Sequence, residues 1–102
     1  MDEKFVAKRI TQLRTNKGTS ARDMSLTLGQ NESYINRIEN GRSLPSLQAL
    51  FWICDYFKIT PKQFFDEEDK YPAYLEELIK DMKKLDAASL ALVAELVKKL
   101  GK

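Results

Sequence analysis

Hydrophobic positions along the first 65 residues recur at short helical spacings, separated by glycine and hydroxyl punctuation. Val6, Ile10 and Leu13 share one helical face, and Gly18 suits the left-handed residue that closes a helix. Ser20 then opens a second helix as its N-cap, with Ala21, Met24 and Leu28 pointing inward at i, i+3 and i+7 and Gly29 stopping it. Asn31 is the expected N-cap of a third helix that runs to about Glu39 and leaves through Asn40-Gly41 into the loop Arg42-Ser43-Leu44-Pro45. Ser46 caps a fourth helix, over residues 47–57. Thr60-Pro61 pairs an N-cap with proline at the first helical position and predicts a short fifth helix over residues 62–65. No segment sustains the alternation of a strand.

Past Phe65 the run DEEDK is too polar to bury and reads as a solvated connector rather than a metal site. Two amphipathic helices follow. Leu75, Leu78, Ile79, Met82 and Leu85 form one apolar stripe; Asp86 caps a final helix carrying Leu90, Leu92, Val93, Leu96, Val97 and Leu100. The pattern therefore predicts an all-α chain, divided into residues 1–65 and residues 66–102, with no internal repeat.

The third helix carries the chemistry. At about 100° per residue, turning Ile35 and Ile38 inward turns Ser33, Asn36, Arg37 and Asn40 outward, with Glu32 at the N-terminal edge. Such side chains can read base edges in a DNA major groove: arginine forks onto guanine, asparagine bridges adenine, and glutamate accepts from the cytosine amine. A plain polar surface helix, with Glu32 placed by the helix dipole, accounts for the same face. The context decides between them, because a short helix, a tight turn at Gly29 and a second short helix form a helix-turn-helix unit.

The stretch RDMSLTLGQNESYINRIENGRSLPSLQALFWICDYFKITPKQFF resembles the Xre/Cro-like helix-turn-helix family of the phage repressors, most specifically in YINRIENGRSLPSLQAL, with the match covering about residues 5 to 65. The resemblance implies a five-helix lambda repressor-like bundle followed here by two C-terminal helices, with the third helix as recognition helix. It further implies base reading by Glu32, Ser33 and Arg37, backbone contacts by Tyr34 and Asn36, and phosphate contacts from Arg42 and Ser43. For Tyr34, packing at the helix edge is an equal reading. Arg14 and Glu39 match a family salt bridge that belongs to the scaffold. One departure is Ala21, where relatives carry a glutamine that holds a phosphate; Ser20 or Arg22 is the expected substitute. Another is the aromatic loading of the fourth helix, where Phe51 and Phe57 read as core but Phe51, Trp52 and Tyr56 together call for further cover.

Composition narrows the function classes. The 102 residues contain no histidine and a single cysteine, which removes most metal constellations, the usual proton shuttle and any internal disulfide. Cys54, inside an apolar run, reads as a buried thiol in a reducing cytosol. No metal or cofactor is expected, and no nucleophile, base and orienter assemble into an enzyme's site. The opening residues lack the apolar core of a signal peptide and no stretch approaches membrane-spanning length, so a cytoplasmic protein without membrane contact is expected. The net charge of +2 hides an asymmetry: residues 1–65 hold ten Lys/Arg against six Asp/Glu, whereas residues 66–102 hold seven against nine. A weakly basic head suits nucleic acid, and a merely solvated charged face accounts for it equally; the resemblance is what implies double-stranded DNA as the partner. The expected function is a sequence-specific repressor acting as a homodimer, joined through Leu92, Val93, Leu96, Val97 and Leu100. The alternative is an antitoxin whose residues 66–102 bind a partner protein.

Overall fold

The computed structural model describes residues 2–101, which are all-helical, with no strand among them. Seven helices follow one another in this described span: α1 (Glu3–Lys17), α2 (Ala21–Thr27), α3 (Tyr34–Glu39), α4 (Leu47–Phe57), α5 (Pro61–Phe64), α6 (Pro72–Met82) and α7 (Ala87–Leu100). The first five wrap one core formed by Ile10, Leu13, Met24, Ile35, Ile38, Leu50, Ile53, Cys54, Phe57, Ile59 and Phe64. Burying each of the larger aliphatic or aromatic side chains contributes about 1.5–3 kcal/mol, so this cluster supplies most of the drive to fold.

Local chemistry sets the helix ends. Asp2, Ser20, Ser46 and Thr60 each accept a hydrogen bond on the side chain from an amide in the following first turn, so one otherwise unpaired N–H is satisfied at each start. Thr60 and Gln63 complete a reciprocal capping box, with Pro61 at the first helical position. The fifth helix thereby runs from Pro61 to Phe64, with Pro61 as its first residue as the cap signal implies, one residue earlier at each end than the expected 62–65. Gly18 closes α1 at φ 77°, its N–H donating to the carbonyls of Arg14 and Thr15. Gly29 takes φ 73° in the turn after α2 with open space around it, so the glycine is there for its backbone angle. Lys58 ends α4 in the same left-handed region without being glycine, and Ile59 then folds back into the core at 7% exposure.

Two sequence expectations need correcting. Asn31 does not cap α3. Its Oδ1 accepts from both the amide and the hydroxyl of Ser33, making a turn of its own, and the helix starts only at Tyr34. Phe51 is 43% exposed and is not core, because α4 directs Ala49, Leu50, Ile53, Cys54 and Phe57 inward and position 51 falls on the opposite side with Trp52. Tyr56 is half-buried; its ring lies under the Lys17 ammonium and edge-on to Phe57.

The connector at 66–70 is exposed at all its positions except Asp69. It is nonetheless tied down, since the Asn16 carboxamide donates to the Lys70 carbonyl. Pro72 is buried, Ala73 packs on the core, and Gln63 Nε2 donates to Glu76, so the start of α6 is seated against α5. Beyond that the tail is open. Leu75, Leu78 and Ile79 on α6 are each close to half exposed, and α7 has no buried residue.

Candidate nucleic-acid interface

A six-residue helix has no stability of its own in water, so tertiary contacts must hold α3 in place. Ile35 and Ile38 anchor its inner face at 0% and 1% exposure. At its start, the fully buried Ser25 hydroxyl donates to the Ala21 carbonyl and accepts from the Ile35 amide at 3.0 Å, which stitches α2 to α3. Losing that hydroxyl strands a buried amide, at a cost of about 1–3 kcal/mol. Sequence reasoning missed Ser25, since its position suggests only a small residue inside a short helix.

The far end of α3 is held by charge. Arg14 Nε and Nη2 meet the Glu39 carboxylate at 2.7 and 2.9 Å, and Nη1 donates to the Thr19 carbonyl at 3.0 Å. Thr11 donates its hydroxyl to the same carboxylate at 2.8 Å. One guanidinium thus joins α1, the entry to α2 and the end of α3, and its hydrogen bonds to Glu39 raise the arginine pKa above its usual value. A buried arginine, Arg9, also went unforeseen. Arg9 lies three residues after Val6 and four before Leu13, on the inward stripe, and its guanidinium donates to the Gln63 and Phe64 carbonyls. Burial pulls its pKa down, partly opposed by Asp69 and Asp66. The pair of contacts fixes α5 to α1.

What this scaffold presents is a small polar face. Ser33, Asn36, Arg37 and Asn40 are exposed along α3, with Asn40 Nδ2 donating to Asn36 Oδ1 across one turn. Arg37 and Arg42 are exposed, and among the described residues neither side chain forms a hydrogen bond or ion pair, which leaves both free for an anionic partner. Ser43 is half-buried in the loop after α3. Tyr34 packs its ring against the core, and that burial raises its hydroxyl pKa. Ser20 accepts the Asp23 amide as a cap and remains exposed. Glu32 and Arg22, assigned by sequence to a base edge and a phosphate, meet each other instead, Nε to Oε2 at 3.1 Å, both side chains more than 60% exposed.

A shallow cleft beside this face is lined by Lys4, Lys8, Asn40, Gly41 and Ser43, together with Glu3. It brings two cations of α1 next to the loop that carries Arg42, a juxtaposition the linear sequence hides because some 35 residues separate them. The residues expected from sequence to join a dimer lie along α7: Leu92, Leu96, Val97 and Leu100 are 57–75% exposed, and Val93 is half-buried. No group of histidine, cysteine or acidic residues among the described residues is arranged to hold a metal ion, and no helix among them is long and apolar enough to cross a membrane.

Two short helices across a glycine turn, the second presenting polar side chains and the free Arg37, define the DNA-binding helix-turn-helix class. The helix-turn-helix family model HTH_3 matches residues 10–64, more than half of the chain, and the protein belongs to that Xre/lambda repressor-like family of DNA-binding transcriptional regulators. No curated protein and no solved structure matches it significantly.

Proposed function

We propose that the protein is a cytoplasmic repressor that occupies a near-palindromic operator as a homodimer, with residues 1–65 as the DNA-binding domain and residues 66–102 as the dimerisation segment. The observation that carries the dimer is the uncovered apolar face of the tail. On α7, residues 90, 92, 93, 96, 97 and 100 span an arc of about 160° at 100° per residue, yet only Ser89 and Val93 are even half-buried. Apolar surface of this extent, continued by Leu75, Leu78 and Leu85, favours a covering partner. A second copy supplies an identical face, so the tails of two protomers can cover each other about a twofold axis.

In this reading Glu32, Ser33 and Arg37 contact base edges, while Tyr34, Asn36, Arg42, Ser43, Ser20 and Arg22 serve the sugar-phosphate backbone. Recognition helices of such dimers sit about 34 Å apart, so half-sites should be about 10 base pairs centre to centre. Selection of bound fragments from random double-stranded DNA tests this directly: the expected product is a near-palindrome with that spacing, and no enriched sequence would sink the proposal. Truncation after Glu68 should leave a folded head that sediments as a monomer and binds the full operator far more weakly, having lost the second half-site. The same open face favours a second reading, an antitoxin whose tail binds a partner protein. Full-length protein sedimenting as a monomer at tens of micromolar supports that alternative against the homodimer.

A further inference from the structure

We propose that Arg22 sets sequence preference in addition to contacting the backbone, because it positions the Glu32 carboxylate for base reading. The inference rests on the base-reading role given to Glu32 above. Glu32 lies in the turn that precedes α3, outside the helix, so the helix does not fix its direction. Its one side-chain partner among the described residues is Arg22, the second residue of α2, ten positions back in sequence.

The geometry divides the labour within each group. Arg22 uses Nε, at 3.1 Å, on Glu32 Oε2. Glu32 Oε1 stays uncommitted and can accept from a cytosine amine, while both terminal nitrogens of Arg22 stay uncommitted and can donate to a phosphate. A lone carboxylate turned toward DNA is repelled by the phosphates on either side. Paired with a guanidinium it enters the groove with little net charge, and the single Nε contact occupies Oε2 and leaves Oε1 to face the bases. Lysine, a point charge on a flexible stem, keeps the charge without fixing that oxygen.

Because the pair is open to water, it adds little to stability, and its effect should appear in selectivity. The test uses the full chain and selection from randomised duplex DNA for the wild type, Arg22→Ala, Arg22→Lys, Glu32→Gln and the Arg22→Ala/Glu32→Gln double variant, with melting curves confirming that all fold. Arg22→Ala, Arg22→Lys and Glu32→Gln should all flatten preference at the same base pair, by roughly 5- to 100-fold, and the double variant should flatten it no further. Arg22→Lys should do so while keeping the salt dependence of the wild type. Uniform weakening on every sequence with an unchanged preference profile, or flattening at different positions by the Arg22 and Glu32 variants, overturns the proposal. A wild-type chain that enriches nothing overturns instead the sequence-specific reading on which it rests.

Discussion

Replacing Arg14 by alanine should destabilise the bundle more than any change on the exposed polar face of α3. The arginine gives three hydrogen bonds, two to Glu39 and one to the Thr19 carbonyl, and its removal leaves the Glu39 carboxylate with Thr11 alone. The two side chains are 20% and 11% exposed, so water replaces the lost partner poorly. Breaking a fully buried pair costs about 3–5 kcal/mol; with the residual exposure, about 3 kcal/mol is expected here. Against a total of about 5–15 kcal/mol this is a large fraction, and for a domain of this size it lowers Tm by about 12–24 °C. Glu39→Gln should cost less, because the Thr19 contact survives and a neutral acceptor remains. The combined Arg14→Met/Glu39→Leu variant should recover much of the loss, since no charge is left stranded. Urea unfolding followed by the fluorescence of Trp52, the one tryptophan, supplies the measurement. The pair brings no pH dependence in the neutral range: a raised arginine pKa gives stability that is complete below the ordinary value and lost only at far higher pH. A loss under about 1 kcal/mol for Arg14→Ala would refute the reasoning, and so would a double variant as unstable as the sum of the singles.

Arg37→Ala should relax preference at one base pair at a cost of about 1–3 kcal/mol, whereas Arg42→Ala should weaken all sequences alike and flatten the slope of log affinity against log salt by about one unit; binding titrations on cognate and random duplexes separate the two. Cys54, at 1% exposure and with burial raising its thiol pKa, should resist alkylation in the native protein and react on unfolding, as mass spectrometry of labelled protein will show. The hydrogen bonds from Ser89 lower the pKa of the Asp86 carboxyl, so its capping stabilisation is complete above the ordinary value of 3.8 and disappears as pH falls below it; the Ser89 amide resonance should report fraying of α7 on acidification, and Asp86→Ala should remove that dependence.

Helix existence and type were legible because both are written in local chemistry. Ser20, Ser46, Thr60 and Asp86 all cap through their side chains, and Gly18 and Gly29 take the left-handed angles their turns require. Where a residue has two local options the outcome was not legible. Asn31 could cap a helix or close a turn, and the competition with Ser33 is decided by three-dimensional context. Polar residues inside the bundle were hardest to foresee, as Arg9 and Ser25 are buried by partners 55 and 10 residues away. Periodicity places both on inward faces but cannot say which carbonyl or amide awaits them.

The charged groups of the head fall into three states, and the division explains how one scaffold carries changeable recognition. Arg14 and Glu39 are paired and largely enclosed, so neither can be exchanged alone without stranding its partner, and the buried Arg9 holds α5 through the Gln63 and Phe64 carbonyls. Arg22 and Glu32 are paired but open to water, so their mutual attraction orients more than it stabilises. Arg37 and Arg42 are open and unpaired among the described residues, available to whatever anion approaches. The contacts that fix the angle of α3, from Ser25 at its start to Glu39 at its end, lie beneath the exposed polar face proposed to meet DNA. Of the side chains proposed to read bases, those at 32 and 37 can therefore change without disturbing the geometry that presents them, whereas the Ser33 hydroxyl also serves the turn that leads into α3.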